Sequence, residues 1–282
     1  MNQLLGKLYV VATPIGNLGD LSLRAKEVLS QVTWIAAEDT RHSSGLLQHL
    51  GIHTPLISYH EHNERERAVQ LVQKCLEGES GALISDAGTP LISDPGYWMV
   101  ATAHAMGVPV VPIPGPCAVI AALSVSGLPT DKFLFEGFLP HKGQPRVERL
   151  KTLSTFAHTV VLFESPHRIQ TLLEEIVQTM GPERRVLLAR EITKRFESIL
   201  LKNAQTLLNE LISGEIPSKG EFIIVIEGFK EDKESTDQEK EIHRILEVLL
   251  PEMPVKQAVQ IAVKLTGFAK NVVYDTAIKM KD

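Results

Sequence analysis

Short apolar runs alternate with amphipathic segments throughout residues 1–115, and no other feature restricts the possible folds of this chain as much. Leu8–Ala12 reads as a strand, Ser22–Gln31 as a helix with Ser22 at its N-cap, and Val32–Ala37 as the next strand. Ser43–Leu50 reads as helical and Pro55–Ser58 as extended. Asn63–Glu77 reads as a long helix with Ala68, Leu71, Val72 and Cys75 on one face. Gly81–Ile84 is then a strand, Trp98–Met106 a helix and Pro109–Pro112 a strand. Strands separated by helices pair in parallel, so the segment predicts a mainly parallel sheet with its ligand loops at one edge.

Three of the strand-ending loops are rich in glycine and proline: Thr13–Asp20 (TPIGNLGD), Ser85–Gly96 (SDAGTPLISDPG) and Ile113–Ala118 (IPGPCA). A strand that stops at Ser-Asp-Ala-Gly-Thr-Pro delivers a carboxylate, backbone N–H groups and a tight turn to the carboxyl edge of the sheet, where open α/β folds bind ligands. The chain lacks the G-x-x-x-x-G-K-S/T phosphate loop, the G-x-G-x-x-G dinucleotide fingerprint and the G-x-S-x-G elbow. Those absences argue against three common α/β enzyme classes.

Beyond residue 118 the pattern changes. Strands are expected at Phe133–Phe138, Thr159–Phe163, Arg185–Ala189, Ser198–Leu201 and Glu221–Glu227, with helices at Pro145–Leu153, Ile169–Met180 and Ala204–Ser213. Strands in close succession predict an α+β domain with a mixed sheet. The expected domains are therefore 1–117 (α/β) and 118–229 (α+β). Lys230–Lys240 is charged and nearly free of apolar residues, and is read as a linker. Residues 241–282 then carry helical patterns at Glu241–Leu250, Val255–Lys264 and Asn271–Lys281, with Thr266-Gly267-Phe268 before the last. They resemble a small helix-turn-helix module, or equally a helical packing or oligomerisation appendage.

The chain has 282 residues, 44% of them hydrophobic, enough for two cores. It shows no membrane-length apolar run and no signal peptide, so a cytoplasmic protein without membrane contact is expected. Two cysteines without C-x-x-C spacing, and ten histidines scattered except for His60-Glu61-His62, give no disulfide framework and no recognisable metal site. The net charge of −5 carries no global nucleic-acid signature. Basic residues do cluster locally, at His141-Lys142 with Arg146, Arg149 and Lys151, at Arg184-Arg185, at Arg190 with Lys194-Arg195, and in the lysines of the tail.

Four polar clusters follow apolar runs: Glu38-Asp39-Thr40-Arg41, His60-Glu61-His62-Asn63-Glu64, Glu164-Ser165-Pro166-His167-Arg168 and Arg190-Glu191-Ile192-Thr193-Lys194. Imidazole and carboxylate groups in such places suit proton abstraction. Their common position at strand ends predicts one polar cleft between two α/β domains.

The strings TPIGNLGDLSLRA, AAEDTR, YHEHNE, LISDAGTPLISDPG, SGLPTDKFLFEGFLP, FESPHRI, AREITKRFE and KGEFIIVIEG occur in an order that resembles the small-subunit ribosomal RNA 2′-O-ribose cytidine methyltransferase I family, within the tetrapyrrole-methylase superfamily. The likeness spans Leu8–Gly228, and the tail from about Ile242 resembles that family's helix-turn-helix appendage. The resemblance implies two α/β domains of the tetrapyrrole-methylase type with a cofactor cleft between them, S-adenosylmethionine as cofactor, a homodimer, and small ribosomal subunit RNA, as the assembled subunit, as partner. By position it implies cofactor contacts from Pro14, Ile15 and Gly16, and from the central loop Asp86, Ala87, Gly88, Thr89 and Pro90. It also implies contacts from Cys117 and Ala118 in the small-residue turn after the family's fourth strand, and from Phe163 and Ala189 at strand ends of the second domain. Cys117 departs from the family pattern, which usually has Ser. His60, Glu64 and the pair Glu38 and Asp39 are the candidates for a general base, with no choice made among them. Arg41, Arg168 and Lys194 are the candidates for phosphate or ribose contacts. A tetrapyrrole methyltransferase acting on a cobalamin or siroheme precursor would share fold and cofactor, and a non-catalytic ribosome-assembly factor would keep the fold for RNA docking.

Overall fold

The computed structural model describes residues 5–230 and 237–280. In the first part, strands β1 (Leu8–Val11), β2 (Trp34–Ala37), β3 (Leu56–Ser58), β4 (Gly81–Ile84) and β5 (Val110–Ile113) form one sheet in the order β3-β2-β4-β1-β5. All its pairings are parallel, as the alternation of strand and helix requires. The helices are α1 (Leu23–Gln31), α2 (Thr40–Leu50), α3 (Glu64–Leu76) and α4 (Tyr97–Ala105). Val11, Ile35 and Ile84 pack with Leu29 and Leu47 of α1 and α2 on one face, while Leu8 and Leu83 pack with Leu71 and Met99 of α3 and α4 on the other. Both faces are thus covered, and β2 and β4 are buried along their whole length.

Local chemistry sets the helix starts. Ser22 accepts a hydrogen bond from the Ala25 N–H, and Asp39 accepts from the N–H groups of Arg41 and His42. The Asp39 cap moves the start of α2 three residues ahead of the sequence expectation.

A helix that the sequence pattern did not reveal, α5 (Ala118–Ser124), follows β5. Its sequence AVIAALS has no polar stripe, so a helical period is invisible. Val119, Ala122 and Leu123 are buried against the second sheet.

That second sheet contains β6 (Phe133–Phe138), β7 (Thr159–Glu164), β8 (Arg185–Arg190), β9 (Ser198–Asn203) and β10 (Phe222–Ile226), in the order β6-β7-β10-β8-β9. β6 and β7 are parallel and the other pairings antiparallel, so the sheet is mixed. α6 (Gln144–Ser154), α7 (Ile169–Met180) and α8 (Ala204–Ser213) cover one face through Leu150, Leu172, Ile176 and Leu207. The opposite face packs against α5 and carries the inner walls of the site.

Contacts divide the chain into two compact units that meet between Phe229 and Lys230. The second unit contains α9 (Asp237–Leu249), α10 (Val255–Thr266) and α11 (Lys270–Lys279), packed around Ile242, Leu246, Val259, Ala262 and Val273. Gly267 closes α10 in the left-handed conformation, φ 72°. The expected linker Lys230–Lys240 lies partly outside the described residues, at 231–236, and its last residues already belong to α9. Charged residues are good helix formers, so a charged stretch does not by itself mark a linker. Lys281, expected to end the last helix, also lies outside the described residues.

Candidate active site

The carboxyl ends of β1, β4 and β5 face the ends of β6, β7 and β8, and a cavity of about 380 Å³ lies between them. The first sheet's side of the lining is Ile15, Ala87, Gly88, Thr89, Ile92, Ser93 and Asp94, joined by Cys117 and Ala118 after β5. Because β3 is a true strand, that small-residue turn follows the fifth strand of the sheet, not a fourth. From the second sheet come Phe138, Phe163 to Pro166, Ile192 and Glu221 to Ile223. Phe163 meets Phe135 and Phe138 edge-on, with ring centroids 5.1 and 5.6 Å away. The walls are mainly apolar with a few polar groups, the composition of a small-molecule site, and the volume falls in the roughly 300–1,000 Å³ usual for one.

Loop chemistry holds the central turn in place. Thr13 and Gly88 exchange both backbone hydrogen bonds, at 2.9 and 3.1 Å. The buried hydroxyl of Thr13 donates to the Ser85 carbonyl at 3.1 Å, and Thr89 donates to the Pro116 carbonyl at 3.0 Å. These bonds tie the loops after β1, β4 and β5 into one floor. Gly88 has φ +83°, and a Cβ there would lie 3.2 Å from Ile15.

The four non-glycine residues with positive φ among the described residues are Leu91, Ser93, Glu191 and Thr193, all on the two loops beside this cavity. Each loop presses a side chain onto a positive-φ glycine of the other half. A Cβ on Gly16 would lie 2.4 Å from Lys194 Cγ and 3.0 Å from Thr193 Oγ1, and one on Gly137 would lie 3.2 Å from Ser93 Oγ. Such backbone strain persists where surrounding structure enforces it, and it concentrates at functional sites.

Of the residues expected around a cofactor, Ile15, Ala87, Gly88, Thr89, Cys117, Ala118 and Phe163 line the cavity. Pro14, Gly16, Asp86 and Pro90 belong to the same loops but are not part of its lining. Ala189 is fully buried and pairs with Ile223, which does line it. Cys117 is half-buried and caps α5 without a side-chain hydrogen bond.

The proton-transfer candidates sit outside the lining. Asp39 caps α2 and bonds Arg41, whose hydrogen bonds hold the Asp39 carboxyl down to about 2. Glu38 is raised by burial and then by the carboxylates of Asp94, Asp86, Glu61 and Asp39. Asp86 accepts from the Asp39 N–H at 3.0 Å. His60 contacts Asn63, and Glu64 accepts from the Gly96 N–H at 3.4 Å.

The cationic candidates divide. Arg41 is almost fully exposed. Arg168 instead binds Glu164 at 2.9 Å and donates to the Leu139 carbonyl at 3.0 Å. Lys194 joins Glu191 at 3.2 Å and Glu221 at 3.1 Å; burial alone would lower its pKa, but the two carboxylates outweigh this and raise it. In the basic cluster around α6, Arg146 is a buried residue bridging Glu164 at 3.3 Å and Glu175 at 2.7 Å. Arg149 binds Glu136, so neither arginine is a bare surface charge.

Sequence reasoning missed Asp94. It lines the cavity, and burial, with the nearby Asp86 carboxylate adding to it, pushes its carboxyl up to about 6 although a Ser85 hydrogen bond opposes the shift. In the sequence it is one Asp of an SDPG turn, and nothing there tells which way the turn faces. Among the described residues no group of three or more His, Cys, Asp or Glu side chains is arranged to hold a metal ion. No helix among them is long and apolar enough to cross a membrane.

Residues 7–208 match the family described as Tetrapyrrole (Corrin/Porphyrin) Methylases, and residues 236–281 match the RsmI C-terminal HTH domain. The Ribosomal RNA small subunit methyltransferase I of Pseudomonas aeruginosa is 47% identical over 274 residues, 97% of each chain. The protein of the same name from Escherichia coli O157:H7 is 46% identical over 276 residues, 98% of this chain and 96% of that one. Among solved structures, a diphthine synthase aligns with a TM-score of 0.62 at 15% identity, covering 79% of this chain and 90% of that one. The uroporphyrin-III C-methyltransferase of Thermus thermophilus, complexed with S-adenyl homocysteine, aligns with a TM-score of 0.54 at 18% identity, covering 79% of this chain and 97% of that one.

Proposed function

Because the chain belongs to the tetrapyrrole (corrin/porphyrin) methylase family, as a full-length relative of its ribosomal RNA small subunit methyltransferase I members, we propose that it methylates the ribose 2′-oxygen of a cytidine in small-subunit ribosomal RNA, with S-adenosylmethionine as donor. The observation that carries this reading is the cavity itself, built from the loops after β1, β4 and β5 on one side and the ends of β6, β7 and β8 on the other.

The lining fits the cofactor. Ile92, Phe138, Phe163 and Ile223 offer apolar walls for a nucleoside and a thioether, and aromatic faces tolerate a cationic sulfonium. Ser93 and Ser165 add hydroxyls to the lining, while the Thr89 hydroxyl donates to the Pro116 carbonyl. When bound, the cofactor supplies an already activated methyl group, so the protein has to align the acceptor and remove one proton. Tethering of the three first-sheet loops fixes the floor, and Glu164, held by Arg146 and Arg168, fixes the opposite wall.

RNA would be held by phosphate contacts, which position a chain without reading bases. In the C-terminal unit, Lys240, His243, Arg244 and Lys279 line one groove between α9 and α11, and on the first unit Arg41 is exposed. The helix-turn-helix match supports an RNA substrate over a porphyrinoid one. The assembled small subunit as substrate, a homodimer and a cytoplasmic location belong to the same reading.

The test is mass mapping of ribosomal RNA from cells lacking the gene. Loss of one ribose methyl on a small-subunit cytidine is expected. A methyl missing from a base, or none missing, refutes the assignment, and methylation of a porphyrinoid precursor by the purified protein would replace it.

A further inference from the structure

We propose that Asp94 is the catalytic base of this site, taking the proton from the ribose 2′-hydroxyl as the methyl group is transferred. The inference rests on the methyltransferase reading above and adds the residue that does the proton transfer.

Three carboxylates line the cavity. Glu164 is held by Arg146 and Arg168, and Glu221 by Lys194. Asp94 pairs with no cation among the described residues, and it is the one carboxylate on the first sheet's side of the lining. A carboxylate committed to an arginine or lysine is a poor proton acceptor, since protonation breaks the ion pair.

The backbone around Asp94 is tightly specified. Leu91 and Ser93 are in the left-handed region at φ 72° and 66°, Pro95 restricts the residue before it, and Gly96 at φ 140° begins α4. Ser93 rests against Gly137 of the opposite half, and the buried Ser85 hydroxyl, donating to the Gly88 carbonyl at 3.2 Å, ties the start of the same loop to its centre. This loop holds a side chain at a chosen point on the wall.

Two carboxylates, Asp86 after β4 and Glu38 after β2, repel the negative form of Asp94. Glu64 of α3 is engaged with the Gly96 N–H two residues on, and Glu164 and Glu221 across the cavity carry their own cations, Arg146, Arg168 and Lys194. A base gains most when its pKa lies near the working pH, and a carboxyl pushed up to about 6 is a stronger acceptor than an ordinary aspartate while still ionised at neutrality.

The step balances. The C–S bond of the sulfonium breaks and leaves its electron pair on sulfur, the 2′-oxygen forms the new O–C bond, and the hydroxyl proton passes to Asp94, which releases it to water after product leaves.

The experiment compares wild type with Asp94→Asn and Asp94→Ser on assembled small subunits. Cofactor affinity is measured by calorimetry, and the Asp94 carboxyl is titrated by ¹³C NMR without cofactor. In the wild type, kcat/KM rises tenfold per pH unit up to about 6 and then levels, and the NMR midpoint of the free protein falls near the same pH. Both variants bind cofactor as wild type does, lose the break in the profile and drop kcat by about 10²–10⁴-fold. Unchanged kcat with the break in place overturns the proposal, as does a parallel loss of cofactor binding. A wild type that transfers no methyl group to small subunits overturns the functional reading as well, which an indifferent Asp94→Asn in an active enzyme does not.

Discussion

Glu164 is the buried centre of an ion network, and its removal should cost more than the removal of either arginine. Its side chain is 0% exposed and Arg146 is 4% exposed, so both charges are out of water. In Arg146→Met three hydrogen bonds disappear, to Glu175, Glu164 and the Pro140 carbonyl. Glu164 nevertheless keeps Arg168 and the Ser165 N–H, and Glu175 at 21% exposure can be hydrated. The loss therefore falls below the usual 3–5 kcal/mol for an orphaned buried charge, at about 2–3 kcal/mol. Glu164→Gln leaves two guanidinium groups facing a neutral amide with Arg146 still buried, so it should cost about 3–5 kcal/mol. Urea unfolding of the full chain, followed through Trp34 and Trp98 of the first unit, measures both. If Glu164→Gln costs less than Arg146→Met, or if both cost under about 1 kcal/mol, the network is held by hydration rather than by mutual pairing.

Four further outcomes are expected. Iodoacetamide should modify the half-buried Cys117, with S-adenosylmethionine slowing it, and spare Cys75, which is buried with its thiol pushed up to about 11; equal Cys117 rates with and without cofactor, by peptide mass analysis, would move the cofactor elsewhere. Cys117→Ser should supply the missing cap of α5 and stabilise the protein by about 0.5–2 kcal/mol, read by urea unfolding. The folded Asp94 carboxyl binds its proton more tightly, at about 6, than the ordinary value of 3.8, so folded wild type loses stability as pH rises from about 4 through 6; Asp94→Asn should be spared, its advantage growing over that window and then constant in urea titrations. Truncation after Lys230 should leave cofactor binding intact while methylation of small subunits falls and its salt dependence weakens, and full activity of the truncated protein would exclude a role for the C-terminal unit in RNA contact.

The first sheet was legible because each of its strands is an apolar run closed by a turn, and β4 and β2, buried on both faces, carry no polar residue at all. α5 was not legible, because AVIAALS is apolar on every side and gives no period. At the site, the Gly/Pro loops pointed to the right edge of the sheet, since turn chemistry is local and survives in the sequence. Which side chain of a loop faces inward is decided by the other half of the molecule. His60, Glu64, Glu38 and Asp39 read as a polar edge but lie outside the lining, with Asp39 acting as a helix cap, whereas Asp94 lies inside. Arg168 likewise read as a free cation and is held by Glu164, whose position depends on strand β7 and helix α7 together.

The reciprocal fit of Gly16 under Thr193 and Lys194, and of Gly137 under Ser93, binds the two halves into one inherited unit. Chimeras that take residues up to β5 from one homologue and the remainder from another will work only when both parents carry matching partners at these positions. A side chain at position 16 or 137 needs both a changed backbone, since these glycines have φ of 150° and 72°, and a smaller or withdrawn side chain on the far loop. Directed evolution of substrate range should accordingly recombine these positions as pairs, leaving the helical faces of either sheet free to drift on their own.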